Sequence, residues 1–527
     1  MKEFPLSLKA AFSNGLRPDD RMPRNSDVLT ECQNVRITGV GDTLTPSTYT
    51  PITYPSGIQS VTIDFPFPQL FKGSQRTILA DKTALYSITE TGNWTKAAIT
   101  TNNAYSVEAA RAITSGSSWH FADFGYRTYA LFNGSCTVFR TSRLSMFVGG
   151  AQDELFVEDS VTINSGCNCR GRMVLGGFNS DNFFNSGWQS INSTLFGSIV
   201  TALGITAPVN PGSNWVWWSP IGTGAFLLFY PSDYTTGLVS DAYPDVDHSM
   251  LFELVKRGDM GFMPMNWQGT VRCVKTLGKG VMVYGDNGIS YMPMHEHTFG
   301  LLDLLPYGVE SRSSVGGNET EHVFVDEAGW LWRVRSGEAP RKLGFREFFE
   351  NMIGNDIVVS HNPIEEEYYI SDGSLCYVLT KDDKLYETTF LVTSIAVSGG
   401  GAVGVYDRPG DADDNYAVMA TDVIDMGMRS LKTIERVVVS TTNTTTVSVA
   451  VDWRNKTSDS WSRTSYYNTN YEGVAYLPVM GLEFRVVVRC TDYTKMDVDN
   501  VVIHFKVDDR RIVRGVYALE NVARSNI

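Results

Sequence analysis

The sequence predicts an all-β protein: a β-propeller of about six blades, with an aromatic-rich insertion and a C-terminal β-sandwich. Three observations predict it. One submotif, an apolar run followed by an Asp/Asn-rich turn and an alternating run, recurs with turns near positions 81, 133, 286, 326 and 372. Apart from the wide gap between 133 and 286, which would hold one or two further blades and an insertion, neighbouring turns lie about 40 to 52 residues apart, the period at which a four-stranded propeller blade repeats. Past Glu387 this pattern gives way to Thr-rich alternating runs separated by polar turns, which suit a sandwich of roughly 100 residues.

Residues 1–56 form an extended lead-in, broken by Gly15, Pro18 and Pro23, with a first short strand at Cys32–Ile37. Blades begin at 57 and fill 57–178. Thr77–Ile88 and Tyr129–Phe139 each carry the submotif, and Arg172–Phe178 is a candidate strand. The stretch 179–245 is an insertion rich in aromatics, with Phe183, Phe184, Trp188, Trp215, Trp217, Trp218, Phe226 and Phe229. So apolar a segment must bury itself or be covered. Trp215, Trp217, Trp218, Phe226 and Phe229 are therefore the candidate gate or partner-contact residues, with the core of an added subdomain as the plainer alternative. Blades resume over 246–397. Asp247–Arg257 reads as a helix, capped by Asp247 and stopped by Gly258. Asn266–Met294 reads as a meander of three strands, with Asp286-Asn287-Gly288 as a tight hairpin whose central residues take positive φ. His322–Val334 and Tyr368–Val378 repeat the submotif. Gly and Asp residues over 398–415 mark a boundary loop. The sandwich occupies 416–507, with strands at Ile434–Val439, Thr445–Trp453, Val474–Val479, Phe484–Arg489 and Val501–Val507, and 508–527 is a tail.

Composition narrows the function classes. With 12% aromatic and 19% charged residues the chain has ample apolar surface to bury. A net charge of −14 argues against a sequence-independent grip on nucleic acid, which needs clustered Lys and Arg to displace counterions. It suits a surface past which a polyanion slides. Seven cysteines, an odd number, make no disulfide framework. The N-terminal segment has no apolar core of the length a secretory signal needs, and no apolar run is long enough for a membrane helix.

Chemistry is sparse. There is neither a phosphate-binding loop nor a Gly-x-Ser-x-Gly elbow. His295-Glu-His297 puts two imidazoles on one strand face, yet no third ligand accompanies them. No metal, cofactor or catalytic residue is assigned, and the chain reads as a non-enzyme. The carboxylates of Glu365-Glu-Glu367 and Asp326 keep one alternative open, a propeller glycosidase acting on bacterial surface glycans. Asp326-Glu-Ala-Gly-Trp330 resembles a sialidase Asp-box turn incompletely, since Phe324 stands where a Ser is expected. A propeller scaffold that binds another protein is a third possibility.

Several stretches together resemble one family. Asn14-Gly-Leu-Arg-Pro18, Glu31-Cys-Gln-Asn-Val-Arg36, Trp119–Gly125 with Tyr129–Gly134, Lys256–Gly261 with Trp267-Gln-Gly269, and Tyr368–Gly373 are similar to segments of the tail nozzle or tail hub (DNA-stabilisation-like) proteins of short-tailed bacteriophages. The resemblance implies a structural virion protein, assembled in the bacterial host cytoplasm into a ring, hexameric in that family. Such a ring extends the tail channel, helps retain packaged DNA and conducts it on ejection. It also implies partners: portal-adaptor proteins above, tail fibres or spikes at the side or below, and double-stranded DNA passing through the lumen without sequence-specific binding. The aromatic stretch at 179–245 departs from that pattern.

Overall fold

A computed structural model describes residues 4–8, 14–17, 27–38, 43–44, 50–51, 65–67, 69–73, 77–80, 85–88, 94–96, 98–101, 119–124, 127–132, 135–140, 145–148, 163–178, 213–219, 221–222, 261–296, 298–398, 401–407 and 416–507. They are almost entirely strands, with one short helix, Arg346–Phe349. The helix expected at Asp247–Arg257 and the tail at 508–527 lie outside the described residues. The chain divides into a propeller unit, Tyr49–Ser374 with Val392–Asp407, and a sandwich unit, Met1–Thr48 with Leu375–Leu391 and Arg408–Ile527.

The propeller unit is a succession of mostly antiparallel sheets taken in chain order. Residues Gln69–Lys72, His120–Phe124, Ile163–Cys169, Val271–Leu277, Val315–Gly317, Val358–Asn362 and Leu391–Ser398 each begin a sheet. These seven first strands line one common cavity and are therefore the innermost strands of seven blades. Hydrogen bonds join each blade to the next all the way round. Trp119 N donates to Gln69 Oε1 (2.7 Å), His120 Nε2 meets Gly166 O (2.8 Å), and Thr276 Oγ1 donates to Asn168 O (2.6 Å). His322 Nε2 meets Thr276 O (3.1 Å), Val359 N donates to Ser313 O (2.9 Å), and Ser360 Oγ donates to Thr393 O (3.4 Å). Ser394 Oγ donates to Leu70 O (2.9 Å) and accepts from Leu70 N (3.0 Å), which closes the belt.

The meander expected at Asn266–Met294 is the fourth blade, with strands Val271–Leu277, Gly280–Gly285 and Ile289–Pro293, completed by Leu302–Leu305. All of Gly280–Gly285 is buried, and the alternation of the strand explains why. Val281 and Val283 pack against Val174, Val216 and Trp218 of the third blade. Met282 and Tyr284 pack against Val315, Phe324 and Trp332 of the fifth. A blade strand thus buries both faces, so it reads as a continuous apolar run instead of an alternating one. Each such side chain contributes roughly 1.5–3 kcal/mol by leaving water.

Two expectations need correcting. Among the described residues the blades number seven where about six were expected, because counting hairpins sees only blades whose strands follow one another closely. The third blade takes its outer strands, Trp215–Trp218 and Gly261–Pro264, from distant stretches of chain. The seventh pairs Gly401–Asp407 in parallel with Thr50–Pro51 from the start of the chain, Val403 opposite Thr50. The Asn287-Gly288 hairpin also differs, since neither residue has a positive φ. Gly288 is required by space: a Cβ there would stand 2.4 Å from the Trp267 indole, and one at Gly285 2.3 Å from it. The indole lies on the hairpin and donates from Nε1 to Ser290 Oγ (2.9 Å).

In the sandwich unit one sheet runs Phe4–Ser7, Asn500–Val507, Lys432–Ser440, Val474–Gly481. The other includes Leu29–Gln33, Ala417–Thr421, Glu483–Cys490 and Val447–Arg454 in that order. Every strand expected between 416 and 507 forms. The Glu31–Arg36 segment is anchored by Asn34, fully buried at φ 54°. Its Oδ1 accepts from Thr389 N (3.0 Å) and Thr388 Oγ1 (3.1 Å), and its Nδ2 donates to Tyr416 O (3.0 Å). An Asn side chain both tolerates the left-handed backbone and satisfies it.

Candidate functional site

The feature of the propeller unit best formed to hold a ligand is the cavity on its axis, about 700 Å³ in volume. Because each blade points its first strand at the axis, residues distant in sequence converge there. His120, Lys275 and His361 come from the first strands of three blades, and His322 joins them from the second strand of the fifth. Burial, reinforced by neighbouring cations, pushes His120 and His322 down to about 3, and burial with the Lys275 charge pushes His361 down to about 4. All three imidazoles are therefore neutral at pH 7. His322 is fixed in its tautomer. Thr276 O can only accept, so Nε2 carries the proton and Nδ1 accepts from the Tyr284 hydroxyl (2.8 Å). His361 stacks on the Tyr368 ring with centroids 4.5 Å apart.

Lys275 is the charge in this group. Burial lowers its pKa, opposed only by the Cys273 and Cys167 thiols. Its ammonium has no carboxylate or hydrogen-bond partner among the described residues. Across the cavity the rings of Phe71, Phe121 and Trp119 form a stack, with centroids 5.0 and 6.2 Å apart. The arrangement offers one cation, neutral imidazoles and an aromatic wall.

The residues expected from the aromatic stretch occupy a different place. Trp215, Trp217 and Trp218 lie on the third strand of the third blade, paired on both sides. Trp217 and Trp218 are buried and Trp215 is half-buried against Phe262 (5.1 Å). Trp218 meets Phe299 edge-on at 5.3 Å inside the core between the third and fourth blades. Trp218 thus packs two blades together, while Trp215 and Trp217 pack on Phe262 of their own blade. Phe226 and Phe229 lie outside the described residues.

Of the carboxylates weighed for hydrolysis, Asp326 and Glu367 bond to neighbouring groups of their own blades. Asp326 Oδ1 accepts from Ala328 N (2.9 Å) and Trp330 N (2.8 Å), and Oδ2 accepts from Trp332 Nε1 (2.8 Å), so the side chain fastens its own blade turn. Glu366 is exposed at φ 56° in a turn. Glu367 is buried and accepts from the Tyr369 hydroxyl (3.4 Å). His297 lies outside the described residues, and among those described no three His, Cys, Asp or Glu side chains gather as metal ligands. Nor is any described helix long and apolar enough to cross a membrane.

A second surface of interest is the outer strand of the sandwich, Val474–Gly481. Among the described residues it ends its sheet, and its outward residues include Tyr476 (61% exposed) and Met480 (49%), with Tyr471 (85%) in the turn before it. Sequence reading passed over Lys275, His120, His322 and His361, because nothing local marks residues that meet only across blades. The one available signal was a lysine inside the apolar run Val274-Lys275-Thr276.

No family model matches the chain, and no curated protein matches it. Among solved structures it is similar to the Neurospora crassa Pan2 WD40 domain, at 6% identity over 67% of this chain and 86% of that one, TM-score 0.32. It is similar to apo AztD from Citrobacter koseri, at 9% identity over 79% and 89%, TM-score 0.33. It is also similar to the extracellular domain of a putative one component system from B. thetaiotaomicron, at 9% identity over 93% of this chain and 64% of that one, TM-score 0.37.

Proposed function

We propose that this chain is a structural subunit of a ring, hexameric by its resemblance to tail nozzle proteins, that extends the tail channel of a short-tailed bacteriophage, helps retain the packaged DNA and conducts it on ejection. The observation that carries the ring is the sandwich edge. Val474–Gly481 is an eight-residue edge strand with outward apolar side chains, and an edge of that kind either associates or must be protected. A second copy of the chain suits it. Two further features favour a wall over an enzyme. The net charge of −14 repels phosphates and so favours passage of DNA without adhesion. The blades are tied by hydrogen bonds around a closed belt, most of them part-buried, which favours rigidity. The portal-adaptor complex and the fibres or spikes are the partners this role requires.

Labelling the chain in purified particles and imaging them tests the proposal. The label is expected as a ring around the tail axis. Particles that assemble without this chain and hold their DNA as long as intact ones would overturn the retention role. Hydrolysis of host surface glycans by the purified chain would overturn the non-enzymatic one.

A further inference from the structure

We propose that the axial cavity of the propeller unit is a binding site for a small hydroxylated carboxylate, a sugar acid such as a hexuronate, with Lys275 as the charge partner of its carboxylate. Four features of the cavity lead there. Its volume, about 700 Å³, lies in the range of small-molecule sites. Lys275 is a half-buried cation without an anion among the described residues, and such a charge is costly until something compensates it.

The neutral imidazole of His361 lines the same cavity and makes no hydrogen bond to another described residue, so it is available to a ligand oxygen. The Phe71–Phe121–Trp119 stack offers aromatic faces to the C–H face of a sugar ring.

Charge selects the class of anion. Lys72 and Lys275 line the cavity together with Asp123 and Glu319, so its charged side chains balance. A doubly charged phosphate would meet two carboxylates with little excess of positive charge. A monoanion needs only Lys275, and carboxylate oxygens can accept from its hydroxyl groups. The inference is independent of the phage role: a ring subunit and a monomer could each carry this site.

Titration of the full chain by calorimetry with D-glucuronate, D-glucose and inorganic phosphate tests it, with intrinsic tryptophan fluorescence as a second signal. Glucuronate is expected to saturate the site at least about tenfold more tightly than either competitor, and Lys275→Met to weaken it by at least about tenfold. Replacing this half-buried cation by an apolar chain of similar length should leave the melting temperature unchanged or higher. Independently of any variant, the His361 ring signals of the wild-type chain should shift on adding glucuronate. Absence of saturation by about 10 mM glucuronate, equal binding of glucose, tighter binding of phosphate, or an unaffected His361 would each overturn the assignment.

Discussion

At the scale of single residues, the propeller holds polar groups inside and keeps them neutral or bonded. His322 is the clearest case, fully buried between Tyr284 and Thr276. Its pKa is about 3 in the folded chain and the ordinary 6.5 when unfolded. The unfolded chain therefore binds more protons between those values, and the stability His322 contributes is complete above pH 6.5 and lost as pH falls towards 3. Replacing His322 by Gln should cost about 1–3 kcal/mol at pH 7 through the lost bonds. The gap from wild type in urea unfolding should then narrow by up to about 1.4 kcal/mol per pH unit below 6.5; a gap independent of pH would refute the buried neutral imidazole. His120 and His361 act in the same direction, whereas burial raises Glu310 and Glu387, which regain stability on protonation. Asp326 supplies a second test. Asp326→Ala strips three donors of their acceptor and should cost about 3 kcal/mol, with hydrogen exchange accelerated at Ala328 and Trp330; unchanged exchange there would show that the turn does not depend on the carboxylate.

At the scale of elements, the hairpin and the edge strand are the informative units. The recurring submotif is one piece of structure, the second and third strands of a blade: Gly280–Gly285 with Ile289–Pro293 and Glu321–Val325 with Leu331–Arg335 are instances. It was legible because both strands and their turn are contiguous. The same hairpin also hid its own reason, since Gly288 looks like a φ requirement and is a clearance requirement set by Trp267. The Trp215–Trp218 strand was legible as apolar but not as a blade strand, because its partners Arg172–Phe178 and Gly261–Pro264 are far off in sequence. For the Val474–Gly481 edge, the double substitution Tyr476→Lys with Met480→Glu adds charge to a surface that an assembly would bury. Light scattering should show the ring lost while the stability of the single chain moves by no more than about 0.5 kcal/mol. A ring that tolerates both charges would remove this strand from the interface.

At the scale of the whole molecule, three described strands within the first 51 residues are parts of sheets completed late in the chain. Phe4–Ser7 pairs with Asn500–Val507, Leu29–Gln33 with Ala417–Thr421, and Thr50–Pro51 with Gly401–Asp407. Deleting residues 1–51 should therefore remove a strand from three sheets at once, and the truncated chain should lose its cooperative melt, as followed by near-ultraviolet circular dichroism. Retention of the full-length melting temperature would mean that these pairings contribute little. Ring closure by strands from both ends of the sequence also makes folding depend on long-range contacts, which form late because their loop-closure entropy is large.

The sequence by itself determined the strand content, the position of the fourth and fifth blades, and the five sandwich strands. These follow from apolar periodicity and turn residues, which are local quantities. Only the tertiary structure decided the seventh blade, the belt from Gln69 round to Ser394, and the meeting of His120, Lys275, His322 and His361 on the axis. Which side chains face one another across blades depends on the register and order of sheets far apart in the chain, and no local pattern encodes that.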